Sequence, residues 1–291
     1  MSASTEESAL DKLARMLAEP LTDAAVPEVK TTADDAVKSA RANTENNLLT
    51  AQDLARALEL RGDFYRMTGA FDEAKTDYFE ALSLFLSARN AEEAIGRVST
   101  GLAVIHDTLD ETDQARTFYE KAIEAFEQTN PPAALDIADL SNNLAFIYEQ
   151  DDQRDKAEEL LLTSLKTCHQ VLGPDHEQTA LLYNNVGTLY FKSGRDERSR
   201  EMHIKALEIR TRVFGSVHPE TSQSHGNLAL VFVRSGELNA AKRHFGKALD
   251  GLEQDLANYR EDYETIVANY RDVLESAQDR KALMQLDNRL R

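Results

Sequence analysis

LSNNLAFIYEQ occupies residues 140–150, LYNNVGTLYFK starts at 182 and SHGNLALVFVR at 224, so one phrase returns twice at a spacing of 42 residues. A period of this length is one supersecondary unit written several times, and it overrides the two-domain expectation that 291 residues would otherwise carry. The echo runs beyond the three phrases. Gly62, Ala103, Ala145, Gly187 and Ala229 form a column of small residues at spacings of 41, 42, 42 and 42. Ala74, Ala115, Ala157, Ser199 and Ala241 form a second column, and Ala81, Ala122, Ser164, Ala206 and Ala248 a third. Between the first two lies a turn column, Gly69, Asp110, Asp152, Gly194 and Gly236. A large residue follows each first-column residue three positions on: Tyr65, His106, Tyr148, Tyr190 and Phe232.

Each unit reads as two amphipathic helices. The first has apolar residues at helical spacing, as in Leu140, Leu144, Ile147 and Tyr148. The turn column ends it, and a second helix such as DKAEELLLTSLKT returns. Small residues at the crossings let the backbones approach, and large residues fill the hollows beside them. One such hairpin cannot bury its apolar face, whereas a stack can. These residues resemble the tetratricopeptide repeat, whose pattern is met here by Val186-Gly187, Tyr190, Gly194, Ser199, His203 and Ala206-Leu207. The usual period of that family is about 34 residues. The longer period, with the connectors GPDHEQTALLYNN and GSVHPETSQSHGN, resembles the kinesin light chain branch. The resemblance covers residues 54–256; the first two repeats lack the Asn pair and the His-containing connector. It implies an all-α, right-handed α-solenoid of five full repeats plus a degenerate capping repeat.

The ends differ from the repeats. Residues 1–18 read as a short amphipathic helix over 4–18, with Ser4 and Glu7 as a capping box and Leu10, Leu13, Ala14 and Leu17 as its stripe. That helix is either a weakly packed terminus or a tethered anchor for a partner. Residues 19–32, with Pro20 and Pro27, read as a linker. The solenoid with its leading helix spans 33–256, and 257–291 form the cap, with Tyr263, Ile266, Val267, Tyr270 and Leu274 at helical spacing.

Little chemistry is written into the chain. It has no phosphate-binding glycine loop, no dinucleotide fingerprint and no H-E-x-x-H. Its single cysteine, Cys168, excludes an internal disulfide and a multi-cysteine metal site, and is expected as a buried apolar residue. His106 and His203 stand in columns otherwise filled by large apolar or aromatic side chains and are expected as packing residues. His176 and His218, in equivalent connectors, should brace the next helix start. His225 and His244 should approach across one hairpin, yet two histidines without a third ligand make a poor zinc site. No catalytic residue, metal or cofactor is therefore expected. The net charge of -18 disfavours nucleic acid and anionic membranes, no apolar run is long enough to span a bilayer, and the N-terminus lacks a secretory signal. The expected compartment is the cytoplasm.

A protein partner is the expectation that remains. Asn142, Asn143, Asn184, Asn185 and Asn227 occupy first helices in register, and an amide offers both a donor and an acceptor. Such a ladder either holds an extended peptide backbone in a concave groove or bonds neighbouring helices; the resemblance implies the former. Gly226 replaces the first Asn in the fifth repeat. Residues 180–249 also hold 11 Lys/Arg against 6 Asp/Glu, a basic island in an acidic chain. Lys192, Arg195, Arg198 and Arg234 are its candidate contacts for an acidic partner segment. The chain shows no heptad seam of the kind that holds a motor subunit. It looks more like the bacterial kinesin light chain-like proteins, some of which accompany bacterial tubulins and associate with their filaments. A peptide sensor, an assembly chaperone and an enzyme of unknown type remain as alternatives.

Overall fold

Helix ends decide this fold. In the computed structural model, which describes residues 8–45 and 51–290, every residue of the turn column is left-handed. The φ angles are 77°, 57°, 59°, 73° and 75° at Gly69, Asp110, Asp152, Gly194 and Gly236, and Gln278, 42 residues further, continues the series at 53°. The same backbone bond closes each turn. Ala70, Glu111, Gln153, Arg195, Glu237 and Asp279 donate their N–H to the carbonyls of Tyr65, His106, Tyr148, Tyr190, Phe232 and Leu274, at 2.8 to 2.9 Å. This is the Schellman closure, and its acceptor is the large-residue column itself.

Among the described residues the chain is all-helical: α1 (Ala9–Leu17), α2 (Val26–Glu45), α3 (Ala51–Met67), α4 (Phe71–Leu86), α5 (Glu92–Thr108), α6 (Thr112–Glu127), α7 (Ala134–Gln150), α8 (Arg154–Val171), α9 (Glu177–Lys192), α10 (Asp196–Phe214), α11 (Pro219–Arg234), α12 (Leu238–Leu252), α13 (Arg260–Ser276) and α14 (Arg280–Arg289). The chain divides into two compact units, Met1–Ile147 and Tyr148–Arg291. Each contains hairpins of the expected solenoid class.

In the first unit, α3/α4 and α5/α6 are full hairpins. A Cβ at Gly62 would lie 2.7 Å from the buried ring of Tyr78, so only glycine permits that crossing. Tyr78 also donates to Asp63 Oδ1 at 2.7 Å, and burial raises the Asp63 carboxyl. The N-terminal elements are more structured than the sequence suggests. The proposed Ser4–Glu7 capping box lies outside the described residues; the cap that is described is Ser8, whose Oγ accepts the Asp11 N–H at 3.1 Å. The stretch expected as a linker over 19–32 is helical from Val26 onward. Pro27 is tolerated there because the first turn needs no N–H, and Val29, Ala33, Ala36, Val37 and Ala40 give the helix a buried face. The α1 stripe is used within the chain: Leu13 is fully buried against Val29, Ala33, Leu60 and Phe64, with Leu10, Ala14 and Leu17 beside it. Helix α1 is a lid on the first hairpin.

In the second unit, α9/α10 and α11/α12 are full hairpins and α13/α14 is the shorter last one. Leu228, Phe232, Phe245, Leu249 and Leu252 form one core with Tyr263, Ile266, Leu274 and Leu286 of the last hairpin. The two His-containing connectors, 42 residues apart, fold alike. His176 Nδ1 accepts the Gln178 N–H and His218 Nδ1 the Glu220 N–H, each at 3.2 Å. Thr179 donates to the Gly173 carbonyl at 2.9 Å and Thr221 to that of Gly215 at 2.8 Å. Both histidines are helix N-caps, as the sequence indicates.

Two outcomes test these assignments. Gly194→Val places a β-branched side chain at positive φ and should cost about 1–2 kcal/mol in urea unfolding. Leu13→Ala should cost about 2–5 kcal/mol of local stability, seen as faster amide exchange across α1 with exchange in α11 unchanged.

Candidate partner-binding surface

The amides come first. Asn227 on α11 donates its Nδ2 to Asn184 Oδ1 on α9 at 2.8 Å, so these two side chains tie successive first helices together. Both remain half-buried, whereas Asn185 is buried. In the first unit, Asn142 is buried and donates to Asn143 Oδ1 at 3.3 Å. Gly226 has a physical reason: a Cβ there would collide with Cδ1 of Ile266, which α13 lays across α11. Where the Asn register passes into the first hairpin it becomes ionic. Glu59 is buried, held by Arg56 Nη1 at 2.7 Å and by Arg97 Nε at 2.7 Å. Glu59 stands in one of the two repeats that lack the Asn pair, and the sequence signal for its ion pairs is Arg56 and Arg97, 41 residues apart in equivalent places.

The basic island turns out to be one half of a ladder. Lys192 binds Glu149 at 2.7 Å, Arg195 binds Glu158 at 2.7 Å, and Arg212 binds Asp175. Arg200 binds Glu237 at 2.7 Å and Lys242 binds Asp279 at 2.5 Å. Arg234 pairs with Asp196, donates to the Phe191 carbonyl at 2.6 Å and lies 3.5 Å from the centre of the Phe191 ring. Each of these contacts reaches from one repeat to the next. Glu149, Glu158, Asp175 and Asp279 lie outside 180–249, so neighbouring repeats supply much of the countercharge. Arg198 differs: it is exposed, sits 5.8 Å over the Tyr190 ring, and has no carboxylate partner among the described residues.

The histidines sort by burial. His106 is buried and stacked on Phe118, with Nδ1 on Glu111. His203 is buried beneath Gly187. Nδ1 of His225 and of His244 stand 2.9 Å apart, so the expected approach is made, one ring donating to the other. Burial lowers all three of His203, His225 and His244 to about 4, with Arg210 acting on the first and Lys247 on the other two. Cys168 is buried. Among the described residues no group of three or more His, Cys, Asp or Glu is placed to hold a metal ion, and no helix is long and apolar enough to cross a membrane.

Hairpins of this geometry, joined by left-handed turns and small-residue crossings, define a class of interaction fold. The tetratricopeptide repeat family matches residues 53–128, 136–203 and 179–254, and the chain belongs to it. Its particular likeness is to the kinesin light chain-like branch. Among solved structures, BtubC (BKLC) from P. vanneervenii is 26% identical, with a TM-score of 0.66, over 77% of this chain and 89% of its own. A kinesin light chain repeat protein from Podosopora anserina is 16% identical, with a TM-score of 0.58, over 68% of this chain and 94% of its own. The apo form of RapI is 16% identical, with a TM-score of 0.65, over 80% and 94%. The last two share the fold alone. No curated protein matches this sequence.

The lowered imidazoles give a pH signature. An unfolded histidine titrates near 6.5, and these three titrate at about 4 in the folded chain. Between those values the unfolded state holds more protons, so stability is full above pH 6.5 and falls as pH drops toward 4. His203→Phe, which copies Phe245 one repeat on, should flatten that fall in urea titrations run at successive pH values. An unchanged slope would remove His203 from the account.

Proposed function

We propose that this chain is a non-enzymatic, cytoplasmic protein-binding scaffold that associates with a tubulin-type filament. Tetratricopeptide repeats generally mediate protein–protein contacts, and that much follows from family membership. The observation that carries the finer reading is the 26% identity with BtubC across 77% of the chain, together with the 42-residue period and the His-containing connectors that resemble the kinesin light chain-like branch. The contact surface we favour is the second unit. It holds 20 Lys/Arg against 24 Asp/Glu, while the first unit holds 13 against 27 and would be repelled by an acidic filament. Within it, Arg198 is the cation best placed to meet a partner, with Lys192, Arg195 and Arg234 engaging one only by exchanging their present carboxylates.

A second reading uses the amides. Asn184 and Asn227 satisfy one another with one donor and one acceptor, which leaves an amide donor on Asn184 and a carbonyl on Asn227 for an extended peptide. Asn185, beside Asn184 on α9, would extend that surface within the second unit.

Co-sedimentation with bacterial tubulin filaments at low and high salt separates the two. The filament reading expects pelleting that salt weakens and that Arg198→Glu reduces; this substitution breaks no ion pair among the described residues. Absence of pelleting at any salt would rule it out and turn attention to peptide capture by the amides.

A further inference from the structure

A second cation of the basic island lacks a carboxylate. Lys247 on α12 is exposed and makes no ion pair among the described residues. It lines a cleft of about 500 Å³ within the second unit. The last turns of α10 bring Glu208, Thr211 and Arg212 to the same cleft, the following connector brings Ser216, and α11 brings His225. These residues all lie within 180–249, where 11 Lys/Arg stand against 6 Asp/Glu. The floor is a histidine. His225 is only 5% exposed, and the little of its ring that solvent reaches opens into the cleft. Its Nδ1 is engaged by Nδ1 of His244 at 2.9 Å, and its Nε2 has no partner among the described residues. A polar atom so deeply placed calls for one.

Donors and charge select the ligand. The hydroxyls of Thr211 and Ser216 are exposed and have no hydrogen-bond partner among the described residues. Arg212 is held at the rim by Asp175. Glu208 is the one carboxylate of the lining, and it acts on Lys205 outside the cleft. The field at the floor is positive: after burial and His244, Lys247 is what depresses His225. A net charge of -18 on the whole chain does not undo this, because charges beyond about 8 Å are screened at physiological ionic strength. The histidine pair can also present a donor. When the His244 Nδ1 carries the shared proton, the neutral His225 ring carries its own on Nε2, and an N–H then faces the cleft. An ammonium, two hydroxyls and a ring N–H offer more donors than the two oxygens of a carboxylate use, and they suit the three oxygens of a phosphate ester. We propose that this cleft binds a phosphoryl group, held by Lys247, Thr211, Ser216 and the Nε2–H of His225, with Arg212 at its rim.

Titration of the full chain with inorganic phosphate, followed by NMR of the histidine rings, tests this without any filament, so its result is independent of the reading above. The His225 signals should shift and saturate with a Kd at or below about 1 mM at pH 7. Bound phosphate should also raise the titration of the His225 and His244 rings, because an anion favours the imidazolium; the charges around the pair are Arg243 and Lys247 of α12 and Glu208 and Arg212 of α10. Lys247→Gln should weaken binding at least about tenfold, and Thr211→Val should weaken it less. Both side chains are exposed, so thermal melts should be unchanged. Acetate at the same ionic strength should bind at least about tenfold more weakly. A phosphoserine peptide binding more tightly than AMP identifies a modified protein as the source of the group, and the reverse order a small phosphate ester; either supports the site. No saturation by about 20 mM phosphate, an equal response to acetate, or binding indifferent to Lys247→Gln overturns the proposal.

Discussion

One backbone bond per hairpin carries the architecture. Six times, an N–H just beyond a left-handed residue reaches back to the carbonyl of the large residue that ends the first helix. That bond fixes the angle at which the second helix returns, and so brings the second small-residue column onto the first. In the α9/α10 hairpin the two columns touch directly, Ser199 Oγ donating to the Gly187 carbonyl at 2.8 Å. Glycine serves this position without strain; Asp110, Asp152 and Gln278 occupy the same φ region at a cost that packing offsets. The period is therefore a statement about helix termination first and about helix faces second.

Stacking is then held in register by charge. Exposed ion pairs contribute about 0–1 kcal/mol each, so the ladder from Glu149–Lys192 to Lys242–Asp279 does not account for the stability of the second unit. It sets which residue faces which. Cations at the beginning of one second helix find carboxylates near the beginning of the next or the preceding one, as Arg195 finds Glu158 and Arg200 finds Glu237. A sliding window over the sequence cannot see this, because the partners lie 37 residues apart. What reads as a basic island is one side of pairings whose other side lies in part beyond it, at Glu149, Glu158, Asp175 and Asp279.

The sequence was most legible where a local rule forces one answer. The turn column and the capping histidines are set by residues within a few positions of one another, and the crossings by residues of one hairpin. The approach of His225 to His244 followed from the hairpin itself. The N-terminal region was less legible. Two prolines in EPLTDAAVPEVK look like a break, but Pro27 falls in a helical first turn, and nothing local reveals that Leu13 finds Phe64. The candidate surface was the least legible part. The sequence sets Asn, Lys and Arg at equivalent places in successive repeats, but whether each points to a neighbour or to a partner depends on contacts a full repeat away. Glu59 shows the same limit: a carboxylate in the amide register looks like a lost contact until two arginines from separate repeats close on it.

Gly226 shows how the end of the stack limits the surface along its length. An amide there would continue the first column of the ladder that Asn184 occupies. Helix α13 instead places the Cδ1 methyl of Ile266 where a Cβ would stand, so a side chain there requires that methyl to move out of the core. Ile266 is part of the core shared by α11, α12 and the last hairpin, so closing that core and extending the amides compete for one position. Closure wins, because burying an aliphatic side chain is worth about 1.5–3 kcal/mol, whereas a half-exposed amide adds a net hydrogen bond of about 0.5–1.5 kcal/mol. Asn227 adapts by turning back to Asn184. The amide surface of the second unit ends where it does because the last hairpin must be held.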